Sequence, residues 1–163
     1  MRKIKRKFKQ PRQLWDKERI EKEKTLMKTF GLRRKHEIWK TESTLRSVRR
    51  RARNLAAKRD KIQEKVLLDK LNKTGLLNKN ATLDDVLSLT LENILERRLQ
   101  SIVLSKKLAN TPKQARQLIT HGHITVDGRK IVYPSFMVPI NLENKIFLCS
   151  APKINKTAVK TGE

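Results

Sequence analysis

"NTPKQARQLITHGHITVDGRKI", residues Asn110–Ile131, changes its apolar period halfway along. Up to Ile119 the apolar residues recur at helical spacing, and from His123 they alternate as in a strand. Thr111 is placed to cap a helix, with Pro112 in its first position, where a missing N–H costs nothing. In that helix Ala115, Leu118 and Ile119 occupy one edge, while Lys113, Arg116 and Gln117 line the other. The alternating half predicts a hairpin, because Asp127-Gly128 suits the positive φ angles of a two-residue turn, and Ile124 then faces Ile131. A short helix that is basic on one edge and feeds a hairpin needs a core on one side and an anionic partner on the other.

Composition narrows the partner. Lys and Arg number 40 against 16 Asp and Glu, a formal charge of +24 on 163 residues. A compact domain with that charge repels itself unless a polyanion neutralises it. Nucleic acid is the commonest such polyanion, and an anionic membrane surface is the next. No run of about 18 apolar residues exists, so no membrane-spanning helix is predicted. The opening "MRKIKRKFKQPR" has no apolar segment behind its basic stretch and does not read as a secretory signal. With the single cysteine, Cys149, neither an internal disulfide nor a four-ligand zinc site is expected. These features describe a cytoplasmic, soluble, polyanion-binding protein with one modest core or two small ones.

The charge is concentrated toward the start. Residues 1–60 carry 23 Lys+Arg and 7 Asp+Glu, against 17 and 9 in the remainder. Residues 1–12 lack apolar periodicity and read as a basic arm, ordered only against a partner. A helix is expected from Pro11 to about Phe30, stopped by Gly31, with Leu14, Trp15, Ile20, Met27 and Phe30 as a broken apolar stripe. A longer one is expected over about 35–59. There Ile38, Leu45 and Ala52 stand seven apart, and Val48, Leu55 and Ile62 continue the adjoining row. The run "RSVRRRAR", Arg46–Arg53, reads as having no acidic partner at i±3 or i±4, so its arginines are expected to form an unpaired phosphate-binding face rather than a solvated one.

Further helices are expected before Gly75, after Thr82 with Asp84 and Asp85 in the first turn, and after Thr90. The last carries Leu91, Ile94, Leu95, Leu99, Ile102 and Val103 as one continuous stripe over about 91–105. "SFMVPI" and "KIFLC" read as two more short strands, with Cys149 a small buried residue of the second. The tail, 151–163, is polar and reads as disordered.

Catalytic chemistry is hard to place on these residues. Neither a phosphate-binding glycine loop nor a dinucleotide fingerprint is present, and no Asn or Asp is arranged around Cys149. His121-Gly122-His123 lacks a third ligand nearby, so a polar contact to RNA or a strand-end hydrogen bond is the better reading. Seven aromatic residues are too few and too dispersed for a single-strand stacking platform. Basic faces on several separate elements suit a large folded RNA recognised by shape and backbone, rather than one groove of duplex DNA.

"LERRLQSIVLSKKLANTPKQARQLITHGHITVDGRKIVYPSFMV", Leu95–Val138, resembles the RNA-binding module named after small-subunit ribosomal protein four. The resemblance rests on Arg97-Arg98-Leu99, Ala115 to Ile119, His121 to Ile124, Val126, Gly128 and Pro134-Ser135. "PRQLWDKERIEKEKTLMKTFGLRRKHEIWK" is similar to the N-terminal segment of the archaeal form of that ribosomal protein family, so the likeness covers about residues 10–150. Two departures stand out. The cysteine-ligated zinc knuckle of some bacterial members has no counterpart here, and "VPINLENKI" lacks the expected glycine turn.

The resemblance implies an α+β fold: a helical region over 13–90, then over 91–150 two helices packed as an L on a small antiparallel sheet. It implies a structural protein of the small ribosomal subunit that binds ribosomal RNA directly and early in assembly. Neighbouring small-subunit proteins are its other expected partners, and it would lie near where messenger RNA enters. No catalysis, cofactor, metal, membrane or homo-oligomer is expected. The candidate RNA contacts are Arg2, Lys3, Lys5, Arg6, Lys7, Lys9 and Arg12 in the arm, and Arg46, Arg49, Arg50, Arg51 and Arg53 on the long helix. In the module they are Arg97, Arg98, Lys106, Lys107, Lys113, Arg116, Gln117, His121, His123 and Arg129. For Arg97 and Arg98, pairing with Glu92 or Glu96 is the competing role. Two other readings are an RNA-modifying enzyme that borrows the module, and a free-standing RNA-binding stress or recycling factor.

Overall fold

Asp16, not Pro11, starts the first helix. The computed structural model describes residues 8–78 and 80–149, and in it α1 spans Lys17–Thr29 with the Asp16 carboxylate accepting from the Arg19 N–H. An acceptor at this position satisfies one of the unpaired N–H groups of the first turn, which proline cannot do. Leu14 and Trp15 therefore precede the helix and are exposed. Only Leu26, Met27 and Phe30 turn onto Leu32 and Ile38 of the next segment and onto Leu95.

The long helix α2, Lys35–Lys58, is the spine. Ile38, Leu45, Ala52 and Leu55 are its buried positions, as the seven-residue spacing predicts. Its neighbours are α1, α3 (Lys61–Lys73), α4 (Leu83–Ser88) and α5 (Leu91–Glu96). Ile62 does not extend the buried row. The chain turns at Arg59, left-handed at φ 54°, and Asp60 caps α3, leaving Ile62 exposed. Gly75 follows the C-cap of α3, and the Asp85 carboxylate closes the start of α4 by accepting from the Thr82 N–H and hydroxyl. The Thr90 hydroxyl caps α5 by accepting from the Asn93 N–H. Leu45, Leu55, Leu67, Leu71, Val86, Leu89 and Ile94 close into one core.

The single helix expected over 91–105 is two. α5 ends at Glu96 and α6 runs Leu99–Ser105, with Arg98 extended between them (φ −75°, ψ 146°). The broken helical hydrogen bonds are replaced from segment 134–138: Leu99 N–H donates to Phe136 O at 2.8 Å, and Val138 N–H to Arg97 O at 3.1 Å. "SFMVPI" is accordingly no regular strand; it makes one bridge, Met137 to Arg98. The apolar stripe survives the break because both short helices bury it, on opposite sides of the joint.

α6 packs on α7, Pro112–Thr120, capped by Thr111 with Pro112 first, as expected. The chain then enters β1 (Ile124–Val126) and β2 (Arg129–Lys130), paired across Asp127 (φ 52°) and Gly128 (φ 77°) as a two-residue turn. After α8, Ile140–Glu143, which occupies the place of the missing glycine turn, β3 (Ile146–Leu148) pairs with β1. The antiparallel order is β2-β1-β3. Leu99, Val103, Ala115, Leu118, Ile119, Ile124, Val126, Val138 and Ile146 form the second large core beneath it. Cys149 lies half-buried just beyond β3, its N–H on His123 O at 2.7 Å. The fold is α+β, a helical assembly joined to a helix pair on a small antiparallel sheet.

Candidate nucleic-acid interface

Three arginines of the module face inward, and this corrects their expected place on its outer edge. Arg98 is 4% exposed and its Nη2 donates to Glu37 Oε2 at 2.7 Å. Arg116 reaches the same carboxylate, Nη2 to Oε1 at 2.8 Å and Nη1 to Oε2 at 3.3 Å. Glu37 stands in the first turn of α2, where a carboxylate also favours the helix dipole. Burial works to raise its pKa, but the hydrogen bonds and charges of Arg116 and Arg98 outweigh burial and hold it below the ordinary carboxylate value.

Arg97 donates from each of its three nitrogens: Nε to Thr74 O at 3.0 Å, Nη2 to Val138 O at 3.0 Å, and Nη1 to Glu143 at 2.9 Å. Lys106 Nζ donates to the Glu143 carbonyl. Neither Glu92 nor Glu96 pairs with these arginines; acceptors far along the chain do. Glu37, Glu143 and the carbonyls of Thr74 and Val138 stand 23 to 79 positions away from the arginines they meet, far beyond i±3 and i±4.

A second carboxylate, this one buried, behaves alike. Glu23, 4% exposed, accepts from Trp39 Nε1 at 3.0 Å and Arg19 Nη1 at 2.9 Å, with Lys35 Nζ 3.4 Å away. Burial acts to raise its pKa and these partners lower it further than burial raises it. Above it, Phe8 stacks on His36 at 5.1 Å and lies 6.0 Å from Trp39, so the end of the basic arm rests on α2. Lys9 and Arg12 are exposed there, whereas Arg2, Lys3, Lys5, Arg6 and Lys7 lie outside the described residues.

The long-helix cluster divides. Glu42, four residues before Arg46, pairs with it at 2.8 Å, so the run is not wholly unpaired; the pair is exposed and weak. Arg49 is held inward, Nη2 on Leu89 O at 2.5 Å. Arg50, Arg51 and Arg53 are exposed and meet no acceptor among the described residues. In the module Lys113 and Gln117 remain exposed on α7, as the edge pattern requires, and Lys107 and Arg129 are exposed as well. His121 and His123 stack with centroids 6.2 Å apart, and no group of three or more candidate metal ligands occurs among the described residues. Lys58 escapes a reading confined to the arginine run, although it stands seven residues from Arg51 on the same helix face.

The chemistry is therefore two populations of cations. One is spent on internal carboxylates and carbonyls, fixing α2 against the module. The other stands free at the surface with planar or point-charge donors and no internal acceptor, which is the form that phosphate oxygens accept. Among the described residues, neither population surrounds a buried nucleophile or a paired acid and base.

Known proteins share this arrangement of sequence. The family model described as the S4 domain matches residues 97–143. Small ribosomal subunit protein uS4 of Thermoplasma acidophilum is 49% identical over 147 residues, covering 86% of this chain and 74% of that protein. The protein of the same name from Methanococcus aeolicus is 51% identical over 149 residues, covering 89% and 84%. That from Hyperthermus butylicus is 48% identical over 147 residues, covering 88% and 84%. At these identities and coverages, the chain belongs to the uS4 family of small ribosomal subunit proteins, in its archaeal form.

Proposed function

We propose that this chain is a structural protein of the small ribosomal subunit, in the cytoplasm, and binds ribosomal RNA directly. The observation that carries this is the division of cations. A protein at +24 keeps a set of exposed Lys and Arg, unpartnered among the described residues, on α2, α6–α7 and the hairpin, while separate ion pairs lock α2 to the α6–α7 pair. Rigidly held cations bring converging RNA segments to one geometry by neutralising their phosphates, and this favours a role early in subunit assembly. Lys113, Gln117, Lys107, Arg50, Arg51, Arg53 and Arg129 are the contacts we assign first; Arg98 serves as support. Its neighbours are other small-subunit proteins, and it lies close to where messenger RNA enters.

The protein binds without turnover. In a cell extract it should sediment with small subunits at one copy each. A position at the top of the gradient, or recovery in far less than equal amount, would favour the free-standing RNA-binding factor instead. Pseudouridine or cleaved products in an incubation with structured RNA would favour an enzyme.

A further inference from the structure

The faces of α2 and α3 that meet beyond the core leave an open groove of about 440 Å³. Each helix lines it at i, i+3, i+4 and i+7: residues 51, 54, 55 and 58 on α2, and 63, 66, 67 and 70 on α3. Leu55 and Leu67 make the buried floor, and Val66, 64% exposed, forms an apolar wall. Asn54 and Gln63 supply amide donors and acceptors. Arg51, Lys58 and Lys70 supply positive charge, are exposed, and form no salt bridge among the described residues. No carboxylate lines the groove, and Arg51 and Lys70 also line an adjoining groove toward Leu76 and Met137.

We propose that this groove holds one unpaired nucleotide of the RNA. The three kinds of surface match the three parts of that ligand. A base offers a flat apolar face for Val66 and the leucine floor, and a donor–acceptor edge for Asn54 and Gln63. Its flanking phosphates suit Arg51 and Lys70. A paired duplex would present phosphates, 2′-hydroxyls and base edges but no open base face, and would leave the valine wall and the leucine floor without a partner. The volume lies within the range of about 300–1,000 Å³ typical of sites for small ligands. The inference rests on the RNA-binding role proposed above and adds a base-reading site within it.

The test uses the full chain and protein-free small-subunit RNA. A photoreactive p-benzoylphenylalanine is placed at Val66, where exposure accommodates it, and at Lys113 as a control in a second sample. The expected result is a Val66 crosslink dominated by one unpaired nucleotide. Scattered or paired nucleotides at Val66, or none, while Lys113 crosslinks RNA would overturn the groove and leave the RNA-binding role standing. Silence from both positions would overturn both. In parallel, Asn54→Ala with Gln63→Ala should weaken binding about fivefold to tenfold with an unchanged salt slope. Arg51→Ala with Lys70→Ala should lower that slope by about 1–2. If the amide variant bound like the parent, with its melting temperature unchanged, the groove would be reading phosphate only, and a base site would be excluded.

Discussion

Arg116 lays its guanidinium across the Glu37 carboxylate at 2.8 and 3.3 Å, although 79 positions separate them in sequence. Arg98 occupies the remaining side of the same carboxylate at 2.7 Å. One acid therefore joins the start of α2 to both helices of the second core.

Removing that acid leaves two guanidinium groups without a counter-charge, one of them buried. Losing one partner of a buried pair costs about 3–5 kcal/mol, and Glu37, 16% exposed, belongs near the lower end. Glu37→Ala should lower stability by about 3 kcal/mol in urea unfolding. Glu92→Ala, at an exposed position, should change it by less than about 0.5 kcal/mol. Equal effects would mean the ion pairs do not hold the two parts together.

Acid should undo the same joint. The Glu37 and Glu23 carboxyls titrate below their ordinary value of 4.5 in the folded protein. The unfolded chain thus binds protons first as pH falls, so this stabilisation is present above about pH 5 and is lost as pH falls through the folded pKa values. Urea midpoints measured from neutral to acid pH should drop along that limb, and Glu37→Gln should flatten it. An equally steep limb in the variant would assign the acid sensitivity elsewhere.

Arg116 and Lys113, three residues apart, should behave differently. Lys113 is exposed, so Lys113→Ala should leave the melting temperature unchanged while weakening RNA binding by about 1.5–3 kcal/mol, the value of a charge-assisted contact. Arg116→Ala should lower the melting temperature as well, because it removes a contact to Glu37. Thermal melts with filter binding separate the two; identical melting temperatures would mean the Arg116–Glu37 contact carries no stability.

Two glycines give a controlled comparison. Both have positive φ, 73° at Gly75 and 75° at Gly122, so alanine strains either by about 1 kcal/mol. A Cβ at Gly75 would also stand 2.7 Å from the Arg97 guanidinium, whereas at Gly122 the nearest atom is 3.9 Å away. Gly75→Ala should therefore cost more, about 2–4 kcal/mol in all, by displacing Arg97 from Thr74 and Val138. Equal costs would show that Arg97 moves aside freely.

What the sequence reveals here follows from distance along the chain. The Thr111 cap, the Asp127-Gly128 turn and the seven-residue row of α2 depend on neighbours within a few residues, and the structure has them all. The break at Arg97–Arg98 is hidden because the stripe of Leu95, Leu99, Ile102 and Val103 keeps helical spacing through it. Its cause, pairing with residues 134–138, lies some forty positions away. The candidate site divides on the same line. Lys113 and Gln117 are exposed as their spacing implies, but nothing local marks Arg98 or Arg116 as partners of Glu37, or Arg49 as a donor to Leu89.

The central claim is that the free surface cations, rather than the internally paired ones, meet RNA phosphates. Filter binding of the full chain to small-subunit ribosomal RNA between about 50 and 200 mM salt tests it most directly. Each phosphate neutralised releases counterions, so log affinity should fall linearly with log salt, with a slope of magnitude above about 5. Replacing Arg50, Arg53 and Lys113 together by alanine should reduce that slope. A nearly flat line in the parent protein, or a slope indifferent to those three replacements, would contradict the account.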